Sequence, residues 1–125
     1  IFAPKIKKTK VLSVLNHADL LYFSTSNSMV WRYGQSLNKL VDYMLAGKPI
    51  LASYSGYQSM INESKCGFFV PSNNARLLSK KIIELSDLPK HVLESYGIRA
   101  KEWILKHRLY ATLASRYSDL LKGLD

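Results

Sequence analysis

The chain has little cysteine and no long hydrophobic run, and each absence excludes a class of protein. Cys66 is the one cysteine among 125 residues, which excludes an internal disulfide framework and metal clusters built from several thiolates. We expect Cys66 to be a small structural residue in a reducing compartment. The apolar runs 20–23 and 66–70 are strand-sized and far short of the roughly 20 residues that a membrane span needs. The sequence therefore predicts no transmembrane helix.

A secretory signal is also lacking. Residues 1–5 have no basic start followed by an apolar middle and a small-residue cleavage site, so we expect a cytoplasmic protein. The chain nevertheless opens in the middle of an apolar pattern and has no initiating methionine. We expect residues 1–125 to be a single partial domain of a larger protein.

Acidic residues are scarce relative to basic ones. There are 18 Lys and Arg residues against 9 Asp and Glu residues, a formal charge of +9. The excess begins with Lys5, Lys7, Lys8 and Lys10. Such a surplus suits nucleic acid, an anionic membrane or a phosphorylated small molecule, whereas the alternative is a solvated basic surface.

Short apolar strands alternate with amphipathic helices along the chain. The pattern predicts an α/β fold: a Rossmann-like parallel sheet with flanking helices and a helical C-terminus. Three strands are clear, and a fourth is expected to end at Phe2. The predicted elements are a helix from Lys7 or Thr9 to His17, a strand at 19–23, a helix at 37–46, a strand at 48–53, a helix at 58–64, a strand at 67–71, a helix from Asn73 or Asn74 to Glu84 with Leu77, Leu78, Ile82 and Leu85 on one side, and helical structure over 89–121 with a break near His107.

The helix at 37–46 has clear end signals. Ser36 is the predicted N-cap, Gly47 can take the left-handed position after the helix, and Pro49 prevents further winding. Its apolar positions follow the spacing of one buried helical stripe. They are Leu37, Leu40, Val41, Met44 and Leu45.

The other side of this helix carries polar residues that need a different explanation. Parallel sheets bind ligands beyond the carboxyl ends of their strands, where the polar loop 24–35 leads into this helix. The amides of Leu37, Asn38 and Lys39 would offer partial positive charge, and the Lys39 ammonium would reinforce it. A carboxylate follows one turn later at Asp42, placed to accept hydrogen bonds from vicinal hydroxyls. A positive helix end followed by a carboxylate suits a sugar nucleotide.

The residues Tyr33 to Ile50, YGQSLNKLVDYMLAGKPI, are similar to a known signature. They resemble the Tyr-Gly-x-Ser-Pro-Asn-Lys-Leu-x-Asp-Tyr-Met-x-x-Gly-Lys-Pro-Ile pattern of retaining GT-B glycosyltransferases, the group 1 or glycogen-synthase-like superfamily. The likeness extends to the segment 14–21, which looks like the family's helix, Ala-Asp pair and strand, and to Gly-Phe-Phe-Val at 67–70. The chain resembles the latter part of the family's C-terminal, donor-binding domain.

This resemblance implies transfer of a sugar from a nucleoside diphosphate donor with retention, without a metal or another cofactor. It implies that Lys39 is the catalytic cation and that Asp42 holds the ribose in place of the family's Glu. Ser36, Leu37, Asn38 and Arg32 are the other implied substrate-binding residues. The sequence departs from the family at Leu37, where Pro is usual, at Ser59, where Glu is common, and at 31–34, where the first acidic residue of the family's pair is absent.

The implied partners include the sugar nucleotide, an acceptor domain that this chain lacks, and a lipid-linked acceptor at the inner face of a membrane. We expect a bacterial polysaccharide transferase whose fragment is inactive alone and self-associates through uncovered sheet and helix surfaces. A non-catalytic nucleotide or phosphosugar module is the alternative, and a nucleic-acid-binding domain is a third. We expect Trp103, Tyr110 and Tyr117 to form a packed helical stripe instead of a stacking surface for bases. The three histidines lack metal or triad spacing, and structural or surface roles are expected for His17, His91 and His107.

Overall fold

A computed structural model of the chain describes residues 4–35 and 37–123. Within these residues, three short strands alternate with six α-helices, and two 3-10 turns cover Lys8–Lys10 and Met29–Tyr33. The elements in chain order are α1 (Val11–Leu15), β1 (Leu21–Ser24), α2 (Asn38–Leu45), β2 (Ile50–Ser53), α3 (Met60–Ser64), β3 (Gly67–Val70), α4 (Ala75–Ser86), α5 (Lys90–His107) and α6 (Tyr110–Lys122).

The three strands form one parallel sheet in the order β1-β2-β3. Leu21 pairs with Ile50, which pairs with Gly67, so the strands run in step along their whole length. This arrangement confirms the predicted α/β class with its parallel sheet, flanking helices and helical C-terminus. The strand expected to end at Phe2 lies outside the described residues.

Helices cover both faces of the sheet, which explains why the first three residues of the central strand are apolar. All four residues of β2 are buried, as expected for a parallel strand covered on two sides. Ile50 and Ala52 belong to a core that includes residues of α2, α3 and α5, whereas Leu51 packs on the opposite side with Leu85 of α4. The sheet therefore has one larger and one smaller core.

The helix ends follow local chemistry. Gly47 adopts φ +64° after α2 and its amide donates to the Met44 carbonyl oxygen, as the sequence predicts. Asn74 caps α4 by accepting from the Leu77 amide at 2.9 Å, while Asn73 takes a left-handed turn conformation. The predicted break near His107 is confirmed, because α5 ends there.

Two predicted apolar stripes are wrong in part. Leu85 of α4 is buried and Leu78 packs against the smaller core, but Leu77 and Ile82 are 41% and 45% exposed. Tyr110 and Tyr117 do not continue a packed stripe from Trp103. They lie on α6, beyond the break, and are 93% and 66% exposed.

Candidate functional site

The carboxyl ends of the three strands meet at one edge of the sheet. Ser24, Ser53 and Val70 are paired across the strands at this edge. Beyond them, the Thr25 amide donates to the Ser53 carbonyl oxygen and the Tyr54 amide donates to the Val70 carbonyl oxygen, both at 3.0 Å. The loop 25–35 and the loop 54–59 therefore begin side by side, at the place where ligands bind in open parallel sheets.

These two loops are joined through Trp31. The Trp31 indole donates to the Ser26 carbonyl oxygen at 2.9 Å, and its ring meets Tyr54 edge-on at a centroid distance of 6.1 Å. The Tyr57 amide donates to the Trp31 carbonyl oxygen at 2.8 Å, and the Tyr54 hydroxyl donates to the Tyr57 carbonyl oxygen at 2.9 Å. The structure thus assigns Trp31 to packing between the two loops.

Gly56 is required by this junction. A Cβ at position 56 would lie 2.5 Å from the Tyr54 hydroxyl oxygen and 2.6 Å from the Trp31 carbonyl oxygen. Any larger residue would push the two loops apart. Nothing in the sequence alone reveals that this turn fits around the Trp31 backbone.

Helix α2 begins one residue later than predicted. Leu37, not Ser36, occupies the N-cap position, with extended backbone angles and no side-chain cap. The Leu37 side chain packs against the larger core, and this burial fixes where the helix starts. The first-turn amides are therefore those of Asn38, Lys39 and Leu40, and the Leu40 amide already donates to the Leu37 carbonyl oxygen at 2.9 Å. Ser36 itself lies outside the described residues.

The start of α2 points toward the carboxyl edge of the sheet. The Lys39 ammonium lies 5.9 Å from the centroid of the Phe23 ring in β1, within range of a weak cation–π attraction. One turn later the Tyr43 hydroxyl donates to the Tyr22 carbonyl oxygen at 3.3 Å. The contacts move from Lys39 to Tyr43 along α2 and from Phe23 back to Tyr22 along β1, so α2 runs antiparallel to β1. Its positive end therefore lies near the place where β1 finishes.

The polar side of α2 is accessible. Asn38 and Lys39 are exposed and Asp42 is half-buried. Lys39 and Asp42 are three residues apart and so share one side of the helix. Within the described residues, the ion pairs join Lys81 to Glu84 and Lys90 to Glu94, and neither Lys39 nor Asp42 takes part in one. Both charges can therefore accept an external partner.

The other predicted site residues lie on two different parts of the structure. Arg32 is exposed on the 3-10 turn Met29–Tyr33. Leu37 and Asn38 instead line a groove of about 670 Å³ formed by α2, α5 and α6, whose lining includes neither Lys39 nor Asp42. The structure thus brings Lys39 and Asp42 together, while Leu37 and Asn38 also border a second surface.

This groove was not predicted from the sequence. Val41 was assigned to the buried stripe of α2 but is 37% exposed and lines the groove. Arg108, which lies between α5 and α6, lines it as well. The signal that could have revealed the groove is the helix break itself, because a second helix folding back beside α2 and α5 leaves space between them.

The remaining chemical groups have structural positions. Cys66 is fully buried, and this burial raises the pKa of its thiol. The Nδ1 atom of His17 is hydrogen-bonded to the Ser13 carbonyl oxygen at 2.7 Å. The His107 ring lies beside the Trp103 ring at a centroid distance of 4.8 Å. Within the described ranges 4–35 and 37–123, no three His, Cys, Asp or Glu side chains lie close enough together to hold a metal ion.

Comparison with known proteins gives one informative similarity. The chain is 33% identical over 86 residues to a protein of Salmonella typhimurium that carries the provisional name colanic acid biosynthesis glycosyltransferase WcaL. The match covers 68% of this chain and 21% of the relative, so the chain spans about a fifth of that protein's length. No family model and no solved structure matches. None of the described helices is long and apolar enough to cross a membrane. The similarity supports a relationship between this chain and glycosyltransferases.

Proposed function

We propose that the chain forms part of the donor site of a retaining GT-B glycosyltransferase, which transfers a sugar from a nucleoside diphosphate to an acceptor. The observation that carries the proposal is the accessible start of α2, where the Lys39 ammonium lies beside the carboxyl end of β1 and the Asp42 carboxylate follows on the same side. The relationship with glycosyltransferases supports it independently.

Lys39 would interact with the diphosphate of the donor. When the bond between the sugar and the diphosphate breaks, negative charge develops on the leaving oxygens. A fixed ammonium and the amides at a helix N-terminus stabilise such charge most strongly in a site from which water is excluded. Lys39 carries no competing ion pair within the described residues, so its charge is available for this step.

Asp42 would hold the ribose. Its carboxylate can accept hydrogen bonds from two neighbouring hydroxyl groups, and it lies one helical turn beyond the proposed phosphate position. Asn38 is exposed at the start of α2 and Arg32 is exposed on the turn Met29–Tyr33, and both would contact the diphosphate or the sugar. Leu37 and Ser36 would contribute backbone groups at the same place, a role carried over from the signature that they resemble.

The whole protein would supply the remaining parts. The chain spans about a fifth of the relative that it resembles, so we propose that the acceptor domain and further contacts to the diphosphate lie in other segments. We propose that this partial domain binds the donor weakly and does not transfer sugar alone. The proposed protein is a bacterial, cytoplasmic enzyme of surface-polysaccharide synthesis. Its acceptor would be a lipid-linked sugar at the inner face of the membrane.

Binding of nucleoside diphosphates to the chain tests the donor site. Calorimetric titration with UDP, GDP, ADP and dTDP should reveal saturable binding that prefers one base. Lys39→Ala should weaken binding of the preferred diphosphate by about tenfold, a typical loss for one charged hydrogen-bonding partner. Lys80→Ala, which removes an exposed lysine from α4, is the matched control and should leave the affinity unchanged.

A separate pair of ligands tests the proposed contact between Asp42 and the ribose. Asp42→Ala should weaken binding of the ribonucleotide but not of its 2′,3′-dideoxy analogue, and Glu102→Ala on α5 should affect neither. Sugar transfer by the full-length protein would then distinguish an enzyme from a non-catalytic nucleotide or phosphosugar module. Strongly salt-dependent binding to any oligonucleotide, without a response to diphosphates, would contradict the proposal.

A further inference from the structure

The groove between α2, α5 and α6 has the size and lining of a small-molecule site. Its volume is about 670 Å³, inside the range of 300 to 1,000 Å³ common for ligand pockets, and most of its wall is hydrocarbon. The apolar wall consists of Leu37, Val41, Leu45, Met60, Ile104, Leu109 and Leu113. An apolar surface exposed to water is unfavourable, and a ligand that removes it from water gains free energy from the apolar area it covers.

One end of the groove is polar. An adjoining cavity of about 440 Å³ is bordered by Gln35, Met60 and Arg108, which also border the groove. Arg108 is exposed, and among the described residues its guanidinium makes no ion pair; it lies 5.8 Å from the Trp103 ring. Glu63 also borders the adjoining cavity. Both polar atoms of the Gln35 side chain are buried and have no hydrogen-bond partner in the same part of the chain.

Of these two groups, the buried Gln35 amide is the one that calls for a partner, because the exposed Arg108 guanidinium is solvated by water when no ligand is bound. A buried amide without a partner costs about 1 to 3 kcal/mol, so native proteins rarely leave one unsatisfied. A guanidinium presents a planar set of donors that fits a phosphate. Arg108 and Gln35 together form a donor-rich end to an otherwise apolar groove.

We propose that this groove binds a single-chain amphiphile with a phosphate head. The hydrocarbon chain lies between α2 and α6, against Val41 and Leu113, and the phosphate accepts hydrogen bonds from Arg108 and Gln35. The chain's charge of +9 favours an anionic ligand. Lys39 and Asp42 do not line this groove, whereas Leu37 and Asn38, which are also proposed donor contacts, border both surfaces.

A hydrocarbon chain fits this groove better than an extended peptide. A peptide strand would place amide and carbonyl groups against the apolar wall, where they would lose their hydrogen bonds to water. A hydrocarbon chain has no such groups. Gln35 and Arg108 supply donors for a polar head group, and Asn38 and Tyr110 are the other polar lining residues.

Lysophosphatidic acid is the probe that tests the proposal, used below its micelle concentration in displacement of a fluorescent fatty acid from the full chain. We expect one saturable site and an affinity that falls roughly threefold for each methylene removed. Val41→Glu should weaken binding more than tenfold by placing a charge in the groove. Ile83→Glu, at an exposed apolar position of α4, is the matched control and should bind like the wild type.

The head group is tested separately. Arg108→Gln should weaken binding of lysophosphatidic acid about tenfold and leave binding of the uncharged monoacylglycerol unchanged, whereas Arg76→Gln on α4 should affect neither. Leu113→Glu provides a second groove variant, and far-ultraviolet circular dichroism checks that each variant folds. Titration with UDP is run on the same variants, so that loss of the donor site and loss of this site are distinguished.

Four results would overturn the proposal. Glycerol 3-phosphate could bind as tightly as the lipid, or Val41→Glu and Leu113→Glu could both bind like the wild type. Ile83→Glu could lose as much affinity as Val41→Glu, which would indicate adsorption to any apolar surface. Sedimentation could show that Val41→Glu abolishes association of the chain while no lipid binds, which would make the groove an interface between copies.

Discussion

At the scale of single residues, accessible and enclosed polar groups have different roles. Lys39 and Asp42 lie on the open side of α2 without ion-pair partners among the described residues. The Tyr54 hydroxyl, in contrast, is enclosed between the two loops and donates to the Tyr57 carbonyl oxygen at 2.9 Å. The first kind can meet an external partner, and the second contributes to the packing between the two loops.

Removal of the Tyr54 hydroxyl should loosen these loops. Tyr54→Phe loses the part-buried hydrogen bonds to the Tyr57 carbonyl oxygen at 2.9 Å and, across the loops, to the Trp31 carbonyl oxygen at 3.4 Å. It should lower the free energy of unfolding by about 1 kcal/mol. Denaturant titration measures the change. Tyr33→Phe removes the same hydroxyl from a side chain that is 93% exposed and should have no effect. Equal stability of Tyr54→Phe and the wild type would show that the hydroxyl does not join the loops.

Cys66 should make stability depend on pH in the alkaline range. Burial raises the pKa of its thiol above the ordinary value of 9.0, whereas the unfolded chain ionises near that value. The thiol therefore contributes its full stability below pH 9 and loses it as the pH rises further. Denaturant titration between pH 7 and pH 10 should show a steeper alkaline fall for the wild type than for Cys66→Ala. Parallel curves would contradict this assignment.

At the scale of elements, close backbone contact between α5 and the turn after α2 is the strictest requirement in the fold. A Cβ on Gly97 of α5 would overlap the Gly47 carbonyl oxygen and lie 3.1 Å from the Lys48 Cα atom. Both contacts are with backbone atoms, which cannot rotate away. The position of α5 against the larger core therefore depends on a glycine.

Gly97→Ala should destabilise the chain in spite of a better helix propensity. Alanine gains about 1 kcal/mol over glycine inside a helix, but overpacking against backbone costs typically 1 to 3 kcal/mol and more where nothing can move. We expect a net loss of about 2 kcal/mol in the free energy of unfolding by denaturant titration. Gly123→Ala, whose added Cβ would have only ordinary contacts, should be neutral. A stabilised Gly97→Ala variant would mean that α5 does not pack as described.

The strands and helix ends could be predicted because they depend on local signals. A buried parallel strand appears as an apolar run. Gly47 marks a helix end by its left-handed conformation, and Asn74 marks a helix start by its side-chain cap. The start of α2 could not be predicted, since burial of Leu37 decided it over a favourable capping residue. The exposure of Val41 depends on where α6 lies, and no local pattern in the sequence fixes that.

The candidate site was predictable in its types of residue but not in its grouping. The spacing of Lys39 and Asp42 on one helix fixes their common side. The separation of Leu37 and Asn38 toward a second surface, and the presence of Arg108 there, result from contacts between residues some 70 positions apart. Only the fold reveals such contacts.

At the scale of the whole molecule, a large apolar surface is exposed on α6. Leu109, Leu113, Leu120 and Leu121 are between 37% and 68% exposed, together with Tyr110 and Tyr117. Monomeric proteins seldom leave such a patch uncovered. The strands β1 and β3 also have no neighbour on their outer sides among the described residues.

The isolated chain should therefore self-associate. Sedimentation equilibrium should show a mass that increases with concentration, and Leu120→Glu should shift the association to higher concentration by about tenfold because it places a charge in the exposed apolar patch. Ile83→Glu is the control on α4. A compact monomer at all concentrations would count against this expectation.

The central claim is that the start of α2 binds a nucleotide, and amide chemical shifts test it most directly. Titration of the isotope-labelled chain with the preferred nucleoside diphosphate should shift the backbone amides of Asn38 and Lys39 first and most. The amides of α4 should remain in place. Shifts confined to α4 or spread evenly over the basic surface, with Asn38 and Lys39 unmoved, would contradict the account.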